Sequence, residues 1–347
     1  MKPIIPVVMN TSFIRLAAID TYNSLIWTSR YYTCGDFELC VDASAKNKAL
    51  FQKDYYIVRD DDENVGIVEK VFIQHTEDGV DTLIVSGRFL DAIIARRIIA
   101  EQTTVTGKVS ACIEQLLTDN IIDPADTDRQ IDNFTIDSYE VATTMQAQYT
   151  GKNLLDVISD IGMTYGVGHK VTLNDDNEYV FKLYEGADRT YDQSVNPWVI
   201  FSDKFDNLLG SGYGENYQDL ATAVLVAGEG EGLDRRTLWV SDGSTGINRH
   251  EVYKDARNIR SNEGEITDEE YEELLEESGK ESLTKYTTAF TGTVYFDSIK
   301  YKDDVELGDL CVIENTKWGI YITSRLVEVI ESVDEAGDYS IIPTFGV

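Results

Sequence analysis

The sequence predicts a mixed, β-rich α+β protein in which two β regions flank a middle region that contains helices. Three observations predict this class. Short β-branched or aromatic runs bounded by turn residues recur before residue 90 and again after residue 195. Apolar residues at helical spacing replace them between residues 88 and 165. A densely acidic helical pattern interrupts the second β region.

The first β region, residues 1–90, is predicted to form a barrel or a sandwich, because turn signals recur every eight to twelve residues. An acidic run at residues 60–64 lies between two strands. It lacks the spaced alternation and terminal Glu of an EF-hand loop, so it is predicted to be a hairpin tip. The predicted strands span residues 13–19, 25–32, 36–41, 55–58, 65–75 and 81–87.

The middle region, residues 91–190, is predicted to be an α+β domain. Helical spacing occurs at residues 89–98, 109–117 and 154–161. Thr106 and Thr150 stand just before the second and third of these segments, where an N-cap is expected. A hairpin follows, with strands at residues 170–173 and 179–184 around an Asn- and Asp-rich turn.

The second β region is predicted to start at residues 191–260 and to be completed by residues 291–347. Its first strands are expected at residues 198–201, 221–227 and 237–240, followed by a charged, loop-rich stretch at residues 241–265. The last runs, at residues 305–313, 318–322, 325–330 and 339–346, predict an antiparallel meander. Within it, Leu307-Gly308-Asp309 is predicted to be a turn, because Gly tolerates positive φ.

An acidic helical insertion is predicted at residues 261–290. Thr267 and Glu270 have the spacing of a capping box, and Ile266 and Tyr271 that of a hydrophobic staple. The body of the helix, residues 268–278, carries few apolar anchors. The helix is therefore expected to be mostly solvated and to lie on the outside.

Length and charge limit the function. A chain of 347 residues predicts two to four domains. Its formal net charge of −32 argues against a nucleic-acid-binding groove or a surface for anionic membranes, both of which need clustered cations. Two interpretations of the acidity remain open: solubility or adaptation to salt, and a wall that must not retain a passing polyanion.

The chain shows no targeting or crosslinking pattern. No signal-peptide pattern follows the first residue, and no apolar run approaches the roughly 20 residues that a membrane span requires. The four cysteines have no CxxC spacing, which favours buried free thiols and folding in a reducing cytosol. A Cys34–Cys40 disulfide across a tight turn is the alternative.

No catalytic, cofactor-binding or metal-ligating residue is predicted. The steps Gly107-Lys108 and Gly151-Lys152 lack the Ser or Thr and the upstream Gly of a P-loop. The glycines of residues 228–232 lack the dinucleotide-binding spacing. The three histidines are far apart in the sequence, and no acid pair stands out among the 62 carboxylates. The 20 tyrosines and 4 tryptophans are expected to fill strands and cores, with a sugar-binding surface as the alternative.

Four motifs, in this order and spacing, carry a family resemblance. They are residues 149–158 (YTGKNLLDVI), 184–190 (YEGADRT), 201–208 (FSDKFDNL) and 221–232 (ATAVLVAGEGEG), the last of which precedes Arg235-Arg236. This order resembles the siphophage tail-protein family of phages and prophages of Gram-positive bacteria. More broadly, it is similar to baseplate-hub or tail-tip hub proteins of tail-like injection particles.

The resemblance implies a structural role. Such hubs have two small antiparallel β-barrel domains with α/β domains attached, and three copies form a ring around a channel. The ring joins a sixfold tail tube to a threefold spike, fibre or tail lysin. The implied partners are further copies of the chain, a distal tail or tube protein and the tape-measure protein, with DNA passing through the channel. The implied location is the virion tail tip, assembled in the host cytoplasm. No cofactor is implied, and no appended lysin or fibre module is expected after Val347.

Two other functions remain as alternatives. A cell-wall hydrolase would need a compact acid pair or a metal site, neither of which the sequence indicates. A glycan- or receptor-binding module would need an exposed aromatic platform, which sequence alone does not locate.

Overall fold

The computed structural model describes residues 4–75, 79–205, 207–261, 266–283, 287–294 and 299–346. Strand outweighs helix by 42% to 19%, which confirms the β-rich α+β class. The predicted insertion, 261–290, includes residues 262–265 and 284–286, which lie outside the described residues. The predicted domain borders near residues 90, 190 and 290 stay predictions.

The first region holds eight described strands and one short helix. The residues predicted as one strand, 65–75, fall in two strands. Of the acidic run, residues 60–61 form the predicted hairpin tip between β5 and β6, whereas residues 62–64 belong to β6. The elements are β1 Val7–Met9, β2 Arg15–Ala18, β3 Ser24–Arg30, β4 Asp36–Asp42, α1 Ala45–Leu50, β5 Tyr56–Arg59, β6 Asp62–Ile67, β7 Lys70–His75 and β8 Asp81–Arg88.

The middle region combines two α-helices with five strands, and it contains the predicted hairpin as β12 and β13. A 3₁₀ helix, Leu90–Arg96, replaces the first predicted helix, and a π turn, Thr118–Ile122, follows α2. The elements are β9 Thr103–Lys108, α2 Val109–Leu117, β10 Phe134–Asp137, β11 Thr144–Tyr149, α3 Leu154–Tyr165, β12 Gly168–Leu173 and β13 Tyr179–Tyr184.

The last region contains an antiparallel meander as predicted, formed by β20, β21 and β22. The two strands predicted at residues 318–322 and 325–330 are one continuous strand, β21. A strand, β18, lies in the stretch that was expected to be loop-rich. The elements are β14 Ile200–Ser202, β15 Leu208–Asn216, β16 Ala223–Ala227, β17 Thr237–Ser241, β18 Glu251–Asp255, α4 Asp268–Lys280, β19 Thr287–Val294, β20 Leu310–Asn315, β21 Ile320–Val333 and β22 Tyr339–Gly346.

One antiparallel path joins the two β regions in a single main sheet. Its order is β15–β19–β22–β21–β3–β4–β8–β7, with β20 paired to β21 and β14 paired to β20. The 14-residue strand β21 pairs first with β20 and then, along the same edge, with β3. Because β21 continues from one region into the other, the described strands form an open shared sheet. Two separate closed barrels are therefore not confirmed.

The smaller sheet β2–β1–β5–β6 is covered on both faces. Val8 and Ile57 pack with Trp27 in the core between this sheet and the main sheet. Their neighbours Val7 and Val58 point the other way, into the core of the middle region. The side-chain period of two thus lets one short sheet link two hydrophobic cores.

Two predicted helix caps are wrong. Thr106 lies inside β9, where it pairs with Gln146, so it is not available to cap α2. Helix α3 is capped by Asn153, whose Oδ1 accepts the backbone N–H groups of Leu155 at 3.0 Å and Asp156 at 3.4 Å. Thr150 instead donates its hydroxyl to a local carbonyl.

Helix α4 has the predicted capping box of Thr267 and Glu270. It is nevertheless not a solvated decoration. Tyr271, Leu274 and Leu275 are almost fully buried and pack on the three-stranded sheet β17–β16–β18. The two leucines are adjacent and Tyr271 precedes Leu274 by three positions, so three anchors suffice for one buried face. No described helix is long and apolar enough to span a membrane.

Candidate functional site: the junction of three chain regions

The structure brings the first β region, the middle region and the last β region together around Tyr31, which follows β3. The Tyr31 side chain is fully buried. Its hydroxyl lies 3.1 Å from the carbonyl of Gly166 and 3.2 Å from that of Tyr184, and it accepts the N–H of Gly186 at 3.3 Å. Burial raises the pKa of this phenol. The side chain therefore anchors two turns of the middle region.

Glycines allow the close approach of the chain at this junction. A Cβ at Gly308 would lie 2.3 Å from the Tyr31 ring, and Gly308 has a φ of +97°. A Cβ at Gly186 would lie 1.9 Å from the carbonyl oxygen of Gly308. The predicted turn at residues 307–309 thus reverses the chain locally and also forms a contact between chain regions.

Asp309 fixes this contact. Its carboxylate accepts the backbone N–H of Ala187 at 2.7 Å and that of Glu306 at 2.9 Å, and it pairs with the Arg189 guanidinium. Three donors satisfy a buried carboxylate that would otherwise be costly to desolvate. The end of the middle region is therefore held to the start of the C-terminal meander.

A second anchor is the buried ion pair of Arg59 and Glu331. Arg59 Nη1 donates to Glu331 Oε2 at 2.9 Å, Arg59 Nη2 donates to Asp61 at 2.6 Å, and the Tyr339 hydroxyl donates to Glu331 Oε1 at 2.8 Å. Burial lowers the pKa of Arg59, but the hydrogen bond that Arg59 donates to Asp61 and the charges of Glu331 and Asp62 outweigh this effect and raise the pKa overall. The pair links β5 of the small sheet to β21 of the main sheet.

A polar cavity of about 280 Å³ lies between these two anchors. Its lining includes Lys302, which pairs with Asp62 at 2.6 Å and lies 3.6 Å from Glu331, and Lys170, which pairs with Glu63. These lining cations are neutralised by carboxylates at the cavity itself. The cavity is therefore better suited to hold water between the regions than to bind a charged ligand.

His169, Asp91 and Ser159 have the order of a hydrolase triad but not its chemistry. His169 Nδ1 lies 3.1 Å from Asp91 Oδ1, and Nε2 lies 3.3 Å from Ser159 Oγ. However, Nε2 lies 2.9 Å from the carbonyl of Tyr32, which can only accept, so this nitrogen carries a hydrogen and is not a base toward Ser159. The His169 side chain is 1% exposed. The three side chains and the Tyr32 carbonyl thus form a hydrogen-bonded polar group inside the core.

The other chemistry-bearing residues stay apart. Among the described residues, no group of His, Cys, Asp and Glu could hold a metal ion. The four cysteines are free thiols. Cys112 and Cys311 are buried, as predicted, whereas Cys34 and Cys40 are partly buried. His75 lies on the surface with its Nδ1 2.6 Å from Asp81.

Local sequence patterns predicted the turn at Gly308, but they did not indicate the roles of Tyr31, Arg59 and Glu331. A signal was present for the ion pair. Arg59 directly follows the apolar run of β5, and Glu331 interrupts the apolar run of β21. A charge inside a strand core needs a partner, but the sequence does not say which of its many opposite charges is that partner.

Comparison with known proteins finds one matching family and several solved structures of similar fold. The family model described as "Siphovirus ReqiPepy6 Gp37-like protein" matches residues 5–347. The tail protein from Neisseria meningitidis MC58 has a TM-score of 0.57 at 13% identity, over 100% of this chain and 97% of that one. The 43 kDa tail protein of prophage MuSo2 from Shewanella oneidensis has a TM-score of 0.58 at 14% identity, over 98% of each chain.

A chain of the lidded Francisella PdpA–VgrG complex has a TM-score of 0.51 at 12% identity. The alignment covers 99% of the present chain but 52% of the Francisella chain. No curated protein matches. At these identities the three structures establish likeness of fold.

Proposed function

The chain belongs to the Siphovirus ReqiPepy6 Gp37-like family of phage tail proteins, and from this premise we propose that it is the hub of a tail tip or baseplate. In this role three copies form a ring that joins the tail tube to a spike, fibre or tail lysin. The ring lines a channel for DNA and the tape-measure protein. The protein is a component of the virion tail, and the ring is assembled in the host cytoplasm.

The observation that carries the proposal is the end-to-end likeness to two tail proteins, each covered over nearly its whole length. The likeness includes both β regions and the middle region, so it concerns the whole architecture. In the proposed ring, the two β regions of each copy occupy the two barrel positions, and three copies present six similar positions to a sixfold tube.

The junction around Tyr31 and Arg59 supports a mechanical role. A ring that transmits load between a tube and a spike requires each subunit to keep its two β regions at a fixed angle. The shared sheet and the buried contacts of Asp309 and Glu331 supply that rigidity. This arrangement supports a mechanism in which the ring matches the sixfold symmetry of the tube to the threefold symmetry of the spike. The mechanism requires no chemical reaction.

Charge and the Francisella complex suggest the other partners. An acidic wall repels DNA and leaves no binding minimum for it, which suits a conduit. The Francisella structure contains VgrG in complex with PdpA. By analogy, the partner on the far side of the ring is a spike-like protein, and on the near side a distal tail or tube protein.

The experiment that tests the proposal is the location of the chain in isolated particles. Antibodies against the chain, labelled with gold, are expected to mark the tail end distal to the head, at one place per particle. Label distributed along the tube, or absent from intact particles, would overturn the hub role. A cell-wall clearing assay with the purified chain, expected to be negative, tests the hydrolase alternative.

A further inference from the structure

A second cavity lies where the small sheet β2–β1–β5–β6 meets the middle region. Its volume is about 220 Å³, below the roughly 300–1,000 Å³ of pockets for drug-sized ligands. Three isoleucines from different elements form its apolar wall: Ile67 on β6, Ile93 on the 3₁₀ helix and Ile131 in the loop before β10. The cavity therefore has room for one side chain or one small organic molecule.

The charges at this cavity do not cancel. Of its described lining residues, Arg96 and Arg97 are cationic and Asp54 is anionic. Arg96 pairs with Asp54 at 2.7 Å, and Lys53 lies 3.8 Å from the same carboxylate. Asp54 is thus already shared by two cations, and no described carboxylate lies within ion-pair distance of Arg97.

Arg97 lies beside another arginine instead. Its Nε donates to the backbone carbonyl of Arg129 at 2.7 Å and its Nη1 to that of Arg96 at 3.1 Å, while its Nη2 donates to no described residue. The Arg129 guanidinium donates to the carbonyl of Ile98 and to Asn120 Oδ1. The carboxylates of the adjoining loop are exposed and form no ion pair with either guanidinium: Asp126, Asp128 and Asp132.

The pKa of Arg97 reflects these neighbours. Burial lowers it, and the like charges of Arg129 and Arg96 lower it further. A carboxylate partner would raise this pKa, as carboxylates do at four other arginines of the chain: Arg30, Arg59, Arg88 and Arg257. Arg97 is thus a cation held near two others in a chain that has 62 carboxylates, and a bound anion would stabilise it.

Two phenols add a hydrogen-bond donor to the cavity. The hydroxyls of Tyr56 and Tyr179 both line it and lie 2.6 Å apart. One hydroxyl donates to the other, so the second retains a hydrogen for a further acceptor. Burial raises the pKa of Tyr56, which keeps this hydroxyl protonated. The cavity therefore combines a cation and a neutral donor with an apolar wall.

We propose that this cavity binds a carboxylate group carried on a compact apolar body. The Arg97 guanidinium and the tyrosine pair receive the carboxylate oxygens, and the three isoleucines contact the apolar part. The carboxylate belongs either to a free organic acid or to an acidic side chain of a neighbouring protein. This site goes beyond the hub role and does not depend on the ring.

The test is an NMR titration of the full-length protein with three probes at constant ionic strength. Sodium benzoate has a carboxylate and an apolar ring, sodium phosphate has no apolar part, and benzyl alcohol has no charge. Benzoate is expected to bind with a Kd of about 1 mM, as small ligands do. The other two are each expected to bind at least about tenfold more weakly, since each lacks one of the two contacts.

Two variants remove different parts of the site. Arg97→Gln removes the charge, and Ile131→Trp fills the apolar space while it leaves the Arg97 guanidinium and its bond to the Arg129 carbonyl in place. Each is expected to weaken benzoate binding about tenfold or more. Arg15→Gln is the control, because Arg15 is 60% exposed and already pairs with Asp60. Circular dichroism identifies the variants that fold.

A capped peptide, acetyl-Leu-Glu-Leu-amide, distinguishes the two sources of the carboxylate. Tighter binding of the peptide than of benzoate would identify a protein side chain as the ligand. Tighter binding of benzoate would identify a free organic acid. Either result supports the site, provided that Arg97→Gln and Ile131→Trp weaken it.

Three results would overturn the inference. They are the absence of benzoate binding at about 10 mM, binding of phosphate or benzyl alcohol as tight as that of benzoate, and unchanged benzoate affinity in a folded Arg97→Gln or Ile131→Trp variant. None of them bears on the gold-label experiment, which decides the hub role separately.

Discussion

Arg59 and Glu331, which are 272 residues apart in sequence, form a buried ion pair with Nη1 and Oε2 separated by 2.9 Å. One partner ends a strand of the small sheet and the other lies in the longest strand of the main sheet. Because both side chains are almost completely buried, each depends on the other for its solvation. The folded state is therefore stable only when the two sheets lie in the relative position that brings Arg59 and Glu331 together.

We expect Arg59→Met to cost about 3–5 kcal/mol of unfolding free energy, because it leaves a carboxylate buried without its main partner. Urea unfolding of the purified variant measures this loss. Arg15→Met is the control, since its pair with Asp60 is exposed and is worth about 0–1 kcal/mol. Equal losses for the two variants would show that the buried pair does not hold the sheets together.

Replacing Glu331 as well should recover part of that loss. In Arg59→Met/Glu331→Met the Glu331 carboxylate is no longer left buried without Arg59, and an apolar pair can be as stable as an ion pair in such a place. The measurement is a double-mutant cycle by urea unfolding. A double variant less stable than the sum of the single losses predicts would contradict the interpretation.

Gly308→Ala should be more costly than Gly243→Ala. Both positions have a positive φ, +97° and +92°, so both variants carry backbone strain of about 1–3 kcal/mol. Only at Gly308 would the new Cβ also collide with a ring, that of Tyr31, whereas nothing lies within 4 Å at Gly243. Thermal unfolding should show the larger shift for Gly308→Ala, and equal shifts would contradict a close packing role for this turn.

The N-cap of α3 distinguishes two residues that are three positions apart. Asn153→Ala should cost about 0.5–2 kcal/mol, because the N–H groups of Leu155 and Asp156 lose their acceptor. Thr150→Ala should cost less, since its hydroxyl only donates to the carbonyl of Tyr149. Urea unfolding compares the two, and a larger loss for Thr150→Ala would restore the original sequence prediction.

Glu281 should make stability depend on pH at the contact between α4 and the middle region. Partial desolvation raises the pKa of Glu281, a third of whose side chain is exposed, above its ordinary value of 4.5, while Lys254, 3.2 Å away, lowers it in part. The folded chain thus holds a proton that the unfolded chain releases. The associated stability is full below pH 4.5 and is lost as pH rises through the raised pKa.

The measurement is the unfolding free energy of the wild type minus that of Glu281→Gln at several pH values. This difference should fall as pH rises from 4 to 7. Glu272→Gln, on the exposed face of the same helix, controls for the loss of one charge. A difference that rises over this interval would show that Glu281 is stabilised as a carboxylate.

The sequence predicted what local patterns determine. Alternation and turn residues located β20, β21 and β22, and the spacing of Thr267 and Glu270 located the start of α4, because these features depend on residues within a few positions of one another. The local pattern did not predict the role of Thr106, because a Thr before a helix can equally well belong to a strand. Its pairing with Gln146 places Thr106 in β9.

What the sequence did not provide were contacts across the chain. Nothing in the run around Glu331 names Arg59 as its partner among 30 Lys and Arg, and nothing in β21 indicates that its second half pairs with β3. The two β regions therefore looked like separate domains. Likewise, three anchors in α4 looked too few for burial until the sheet beneath them was known.

The measurement that tests the hub role most directly is electron microscopy of the tail end of intact particles, at a resolution that resolves subunits. We expect three copies of this chain around a central channel, between a sixfold tube and a threefold spike or fibre. A tail end that lacks the chain, or that contains it as a single copy beside the axis, would contradict the account.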